Sequence, residues 1–164
     1  MANINQHTLV ALVQDAPGVL NRIASMFRRR GFNILSLSVG QSETANLSRM
    51  TFVVDGEEST VEQIIKQLDK LIDVISVSDI SKQNIVIREL ALIKVNTDSS
   101  NRTEILQLAE TFRSSVVDVS PGSVIIEVTG DDNKVDSLMD ILKPFGVIEV
   151  MRTGRVGLLR GDPT

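Results

Sequence analysis

The segment whose residue types and spacing could do chemistry is Asp15-Ala16-Pro17-Gly18-Val19-Leu20, between a predicted strand and a predicted helix. Pro17 lacks an N–H and suits the first helical turn. Gly18 lets a ligand or another backbone approach closely. The free N–H groups of residues 18–20 would point outward at the positive end of the helix dipole, where a carboxylate is favoured. Asp15 could pair with an ammonium group, so the turn indicates a site for a free α-amino acid.

A purely structural interpretation of the same residues stays open. Asp15 could simply cap the helix while Gly18 turns the chain, because Asp-x-Pro-Gly is a common way to begin a helix. Asn33, in the loop before the next strand, could likewise cap that loop or offer its amide to a ligand. Spacing alone does not decide between these interpretations.

Other chemistry finds little support in the composition. The sequence has no Cys, which excludes disulfides, iron–sulfur clusters and thiolate zinc sites, and His7 is its single imidazole, expected to be solvated. There is no nucleophile elbow and no glycine-rich phosphate loop, so no catalytic residue and no metal site are expected. A net charge of −4 argues against a nucleic-acid partner. No apolar run approaches the roughly 18 residues of a membrane span, and no secretory signal begins the chain. We therefore expect a cytoplasmic protein.

Hydrophobic periodicity predicts the order βαββαβ in the first half of the chain. The second helix is predicted to begin at a capping box formed by Thr60 and Gln63, and to carry Leu71 and Ile72 on its apolar stripe. The predicted elements are a strand at Thr8–Gln14, a helix at 17–30, a hairpin of Ile34–Val39 and Arg49–Val54, a helix from Thr60, and a strand at Val74–Asp79.

The same order recurs in the second half, with strands at Glu89–Asn96, Ser115–Val119, Ser123–Thr129 and Val147–Met151 and two intervening helices. The fold class is therefore α+β, with two tandem ferredoxin-like domains. We predict domains at residues 1–80 and 81–164. Adjacent apolar residues on the first strand make both faces of the sheet apolar. Because the helices cover only one face, this pattern predicts an oligomer.

Two basic segments have alternative explanations. Arg28, Arg29 and Arg30 crowd the last turn of the first helix, where the helix dipole favours cations, or they could dock a partner. The tail Met151–Arg160 carries three arginines and a Leu-Leu pair, and could be an edge strand or a docking surface.

The turn at Asp15–Leu20 with the loop at Gly31–Ile34 resembles the ACT domain, a ligand-binding ferredoxin-like module. Five further segments are distinctive, in this order: Arg29–Ile34, Leu47–Thr51, Lys66–Val74, Arg88–Val95 and Arg152–Gly157. Together they resemble the small regulatory subunit of acetohydroxyacid synthase (acetolactate synthase). The resemblance spans about residues 7–161.

The resemblance implies a non-catalytic regulatory chain. Its partner would be a large catalytic subunit that uses thiamine diphosphate, Mg²⁺ and FAD to join two 2-oxo acids toward valine, leucine and isoleucine. The small subunit would hold no cofactor, would raise its partner's activity and would confer feedback inhibition, usually by valine.

The family also implies a homodimer in which two ACT domains pair through the strand after the first helix. The effector would lie at that seam. Many members have Asn where this chain has Asp15, so effector affinity or its pH dependence can differ. Carried to this sequence, the effector-binding residues are Asp15, Ala16, Pro17, Gly18, Val19 and Leu20 of one chain with Asn33 and Ile34 of the other.

Two other classes of function remain as alternatives. A free-standing ACT-type sensor would bind an amino acid and control another enzyme or a transcription factor. A small hydrolase on a ferredoxin-like scaffold would need a phosphate loop, and Asp15 in the first turn would repel phosphate.

Overall fold

The computed structural model describes residues 6–161, which form two units. The first unit contains residues 6–86 together with 155–161, and the second is Ile87–Gly154. The predicted order βαββαβ and the α+β fold class are confirmed. The elements are β1 Gln6–Gln14, α1 Val19–Arg30, β2 Ile34–Gln41, β3 Leu47–Asp55, α2 Glu58–Asp69, β4 Val74–Asp79, β5 Ile85–Asn96, α3 Arg102–Thr111, β6 Ser115–Ser120, β7 Ser123–Gly130, α4 Asp132–Leu142, a 3₁₀ turn Lys143–Phe145, β8 Val147–Arg152 and β9 Val156–Leu159.

The two sheets have the same strand order, as a repeated fold requires. The first runs β2-β3-β1-β4 and the second β6-β7-β5-β8, with β9 paired to β5. All the pairs described between neighbouring strands of β1–β8 are antiparallel. β2 therefore lies at an edge of the first sheet, because it pairs with β3 alone among the described strands.

The core of the first unit lies between one face of its sheet and helices α1 and α2. Leu9, Ala11 and Val13 alternate along β1 and are buried against it. Phe27 of α1 stacks on Phe52 of β3 with ring centroids 5.6 Å apart. This packing holds α1 against the sheet, and Gly18 and Gly31, both left-handed, stand at its two ends.

The second unit has its own aliphatic core, in which Ile93, Ile126 and Leu138 are fully buried. A charged pair lies beside it. The Arg152 guanidinium donates two hydrogen bonds to the Glu89 carboxylate, at 2.9 and 2.7 Å, and Glu89 is only 5% exposed.

The division of the chain differs from the predicted boundary at residue 80. The first unit continues to Val86 and takes back the C-terminal segment from Arg155, which the periodicity did not indicate. Val10 and Leu12, on the β1 face opposite the core, line a groove of about 690 Å³ that Leu158 and Leu159 also line. The segment thus partly covers the apolar second face of the sheet.

Hydrogen bonds attach this C-terminal segment to the first unit. Arg155 donates to the Thr8 hydroxyl at 3.0 Å, and the Arg160 backbone N–H donates to the Asn84 carbonyl at 2.8 Å. Of the two interpretations of the tail, the strand is present as β9. The three arginines of the tail, Arg152 included, bind groups within the chain.

The predicted start and end of α2 were wrong. The helix begins at Glu58, three residues before the first apolar residue of its stripe, and no side chain caps its N-terminus. Thr60 lies inside the helix, so its capping box does not form. The helix ends at Asp69, and Ile72, expected on the buried stripe, is 93% exposed. The chain must turn here to reach β4, and this turn carries Ile72 outward.

The other helix termini differ in how they are capped. The Asp131 side chain accepts a hydrogen bond from the Lys134 N–H at 2.9 Å and caps α4. At α3, Asn101 instead accepts from the Asp98 N–H at 2.9 Å, so it closes the preceding loop. No helix within residues 6–161 is long and apolar enough to cross a membrane.

Candidate functional site

The turn between β1 and α1 is held from both sides by backbone hydrogen bonds. The Asp15 N–H donates to the Asn46 carbonyl and the Gln14 N–H donates to the Asp73 carbonyl, each at 2.8 Å. Residues 15–18 are exposed. The turn is therefore a fixed, open feature of the surface.

Gly18, the residue just before α1, has a left-handed conformation, with φ of +85°. No side chain caps this end of the helix, so the interpretation of Asp15 as a helix cap was wrong. The turning role of Gly18 is confirmed, because few residues with a Cβ adopt this φ. Helix α1 begins at Val19, two residues after the predicted start, since Pro17 belongs to the turn.

The N-terminus of α1 keeps hydrogen-bond donors for a ligand. The Val19 N–H is used by the Ala16 carbonyl at 3.3 Å, which corrects the prediction that it is free. Across residues 6–161, no protein acceptor is found for the N–H groups of Gly18 and Leu20. The first turn of α1 also contains no acidic residue, so its positive dipole end is not neutralised there.

Arg22 adds a positive charge that the sequence analysis missed. Its Nη1 lies 3.1 Å from where a Cβ on Gly18 would stand. Its Nε and Nη2 donate to the two carboxylate oxygens of Asp73, at 2.5 and 2.9 Å. The hydrogen bond from Arg22 holds the pKa of Asp73 below its ordinary value. Because Asp73 uses only two of the guanidinium nitrogens, Nη1 remains beside Gly18.

The position of Arg22 could have been noticed in the sequence, since it is four residues after Gly18 and so lies one turn along the helix. Its partner Asp73 is 51 residues away and gives no local signal. Asp15, by contrast, has no ion pair with any cation in the described chain.

The remaining predicted site residues divide between surface and core. The Val19 side chain is buried in the first unit, whereas Leu20 is 47% exposed. Asn33 is exposed just before β2, and Ile34 is half-buried against the core. One chain does not bring the two groups together: the 12 residues of α1 separate Gly18 from Asn33 by about 18 Å.

His7 is not the solvated side chain that was expected. It is 8% exposed, and its Nδ1 lies 2.7 Å from the Asp79 carboxylate. Burial raises the pKa of Asp79, but hydrogen bonds from the Ser81 hydroxyl and N–H and from His7 outweigh that effect and leave the pKa below its ordinary value. The Ser81 hydroxyl bonds to Asp79 and not to the imidazole, so these three side chains are not arranged as a catalytic triad.

No group of three or more His, Asp or Glu side chains within residues 6–161 is placed to hold a metal ion. The described site thus consists of a helix N-terminus, a guanidinium and a nearby carboxylate. These groups are suited to binding opposite charges at the two ends of a small molecule.

Comparison with known proteins matches both parts of the chain. Residues 9–76 match the model described as "AHAS small subunit-like ACT domain", and residues 88–161 match "Small subunit of acetolactate synthase". A protein of Archaeoglobus fulgidus called "Probable acetolactate synthase small subunit" is 51% identical over 157 residues, covering 96% of this chain and 98% of that protein. The chain belongs to the family of acetolactate synthase small subunits.

Another relative and a solved structure show the same similarity. The "Acetolactate synthase small subunit" of Bacillus subtilis is 53% identical over 150 residues, covering 91% of this chain and 87% of that protein. A crystal structure of the small subunit from Thermotoga maritima is 44% identical, has a TM-score of 0.89, and aligns over 98% of this chain and 100% of that one. The resemblance stated from the sequence is thereby confirmed, and with it a place in the regulation of branched-chain amino acid biosynthesis.

Proposed function

We propose that this chain is the non-catalytic regulatory subunit of an acetolactate synthase. It binds the large catalytic subunit, raises its activity and makes it sensitive to feedback inhibition by a branched-chain amino acid, with valine as the first candidate. The observation that carries this proposal is the 51% identity to an acetolactate synthase small subunit over 96% of the chain. Thiamine diphosphate, Mg²⁺ and FAD belong to the catalytic partner, as the family resemblance implies.

The β1–α1 turn supports the binding of an amino-acid effector. The effector's carboxylate is received by the N–H groups of Gly18 and Leu20 and by Nη1 of Arg22, all of which lie at the positive end of α1. Its ammonium group is received by Asp15. A charged, planar carboxylate fits this set of donors better than a neutral ligand does.

A homodimer formed through β2 would complete the site. β2 is an edge strand, and Leu35 and Val39 on it are 44% and 55% exposed. Pairing two copies along this edge would satisfy its free backbone groups and cover these apolar side chains. It would also bring Asn33 and Ile34 of a second chain to the ligand, which α1 prevents within one chain.

A ligand held by two chains can regulate because it binds one dimer geometry better than another. The bound geometry then becomes more populated, and the catalytic partner responds to it. A coupling free energy of about 1–3 kcal/mol between effector and partner is typical of such regulation.

The test is to mix the purified chain with its catalytic subunit and to measure acetolactate formation with and without valine. We expect activation by the chain and inhibition of the activated complex by valine. Neither effect would be seen if the chain were a free-standing amino-acid sensor. Calorimetric titration with valine, leucine and isoleucine then identifies the preferred effector.

A further inference from the structure

The C-terminal ends of α1 and α2 surround a second cavity, of about 410 Å³. Arg30 donates to the side-chain oxygen of Gln67 at 3.1 Å and joins the two helices there. Met26 and Leu71 contribute apolar surface, and Arg29 and Lys70 are the other lining residues. Arg29 and Arg30 belong to the last turn of α1, whereas Lys70 and Leu71 come shortly before Asp73, whose carbonyl accepts from the Gln14 N–H next to the β1–α1 turn.

Four basic side chains, three in the last turn of α1 and one just after α2, lack a carboxylate partner. We call Arg28, Arg29, Arg30 and Lys70 the basic patch. Among the described residues, Arg30 binds only a neutral amide and the other three bind no side chain. Residues 6–86 contain four other Arg and Lys side chains, and each of them forms an ion pair with Asp or Glu. They are Arg22, Arg49, Lys66 and Lys82.

The helix dipole does not account for four cations in the basic patch. A helix C-terminus favours a cation in its last turn. Three consecutive arginines, with a lysine from the neighbouring helix, also repel one another, in a protein whose net charge is −4. This repulsion would be relieved by an anionic surface that binds from outside.

Ile72 shows which kind of anion fits. It is 93% exposed and follows Leu71, which lines the cavity. A free phosphate compound would leave this isoleucine in water. A protein surface could cover it while its carboxylates meet the cations, and an apolar anchor within a polar rim is typical of protein interfaces.

We propose that the basic patch and Ile72 form the surface on which an acidic, partly apolar segment of the catalytic subunit docks. The inference rests on the proposed function and assigns the docking place within it. The docking surface then begins in the last turn of α1 and ends at Ile72, next to Asp73, whose carboxylate binds Arg22 beside the effector turn.

The test measures binding of the intact chain to its catalytic subunit, at low and at high salt. The variants are Arg29→Glu, Lys70→Glu and Ile72→Ser, and Arg113→Glu in the second unit is the control with the same change of charge. We expect each of the three to weaken binding about tenfold, and the control to stay near wild type. Binding by the wild type should fall with salt more steeply than binding by the charge-reversed variants. Valine binding to the isolated chain should be unchanged in Arg29→Glu, which lies in the last turn of α1 and outside the effector turn.

Several outcomes would overturn the proposal. One is that all three variants bind the catalytic subunit as tightly as the wild type does. Another is that salt does not weaken binding of the wild type. A third is binding of tripolyphosphate that the charge reversals abolish while docking persists, since this would make the patch a phosphate site. If the wild type binds no catalytic subunit at all, the proposed function fails as well, and this result is distinct from the other three.

Discussion

Replacement of Gly18 by Asp tests the effector site most directly. The substitution places a carboxylate where the effector's own carboxylate is proposed to bind. Two like charges about 4 Å apart repel by about 4 kcal/mol at an effective dielectric constant of about 20. Arg22, whose Nη1 lies 3.1 Å from the new Cβ, would offset part of this. We expect a net loss of about 2–3 kcal/mol, which is roughly 30- to 150-fold weaker valine binding.

Gly18→Asn is the matched control for this substitution. Asn has nearly the size of Asp, and both tolerate the left-handed φ of +85° better than other residues with a Cβ. The Cβ meets the flexible end of Arg22 in both variants, so both carry the same backbone strain. The difference between the two variants therefore isolates the charge.

The assay is calorimetric titration of each variant with valine, followed by acetolactate formation with the catalytic subunit. Gly18→Asp should activate the catalytic subunit and should resist valine, whereas Gly18→Asn should keep most of its valine sensitivity. An equal loss of valine sensitivity in both variants would show that backbone strain, not charge, is responsible. Unchanged inhibition in Gly18→Asp would refute the placement of the effector at this turn.

Three further substitutions examine the proposed dimer and two of the ion pairs within the chain. Val39→Lys puts a charge on the β2 edge and should dissociate the proposed dimer, as followed by analytical ultracentrifugation. Arg22→Gln should destabilise the chain at neutral pH: the lowered pKa of Asp73 makes the pair stabilising above about pH 4, and this contribution is lost as the pH falls through the folded-state pKa. Arg152→Leu leaves Glu89 buried without its partner and should cost roughly 2–4 kcal/mol in denaturant unfolding.

Each of these three has its own control. Val117→Lys, on the β6 edge of the second unit, should leave the dimer intact, and dissociation by this variant alone would move the interface to that edge. The Arg22→Gln defect should shrink as the pH falls below the ordinary pKa of an aspartate, and a defect that is the same at every pH would have another cause. Replacing both Arg152 and Glu89 by Leu should be much less harmful than Arg152→Leu alone.

The hydrophobic pattern alone is enough to predict the order of elements. Alternation along β1 and the apolar stripe of α1 are local properties, because the burial of each residue follows from its position in a regular strand or helix. The composition likewise excludes thiol chemistry and multi-histidine metal sites. The Asp-x-Pro-Gly turn indicated the candidate site, since the preference of Gly18 for a left-handed φ is a property of that residue.

Other features depended on contacts between distant parts of the chain. Arg22 lies beside the β1–α1 turn because Asp73, 51 residues away, holds its guanidinium. His7 is buried because Asp79 on a neighbouring strand receives it, and Ile72 is exposed because α2 ends early to let the chain return to β4. The C-terminal segment returns to the first unit to cover an apolar sheet face. Periodicity describes each element separately, whereas ion pairs, helix ends and the covering of a sheet face are decided by whichever distant groups the folded chain brings within reach.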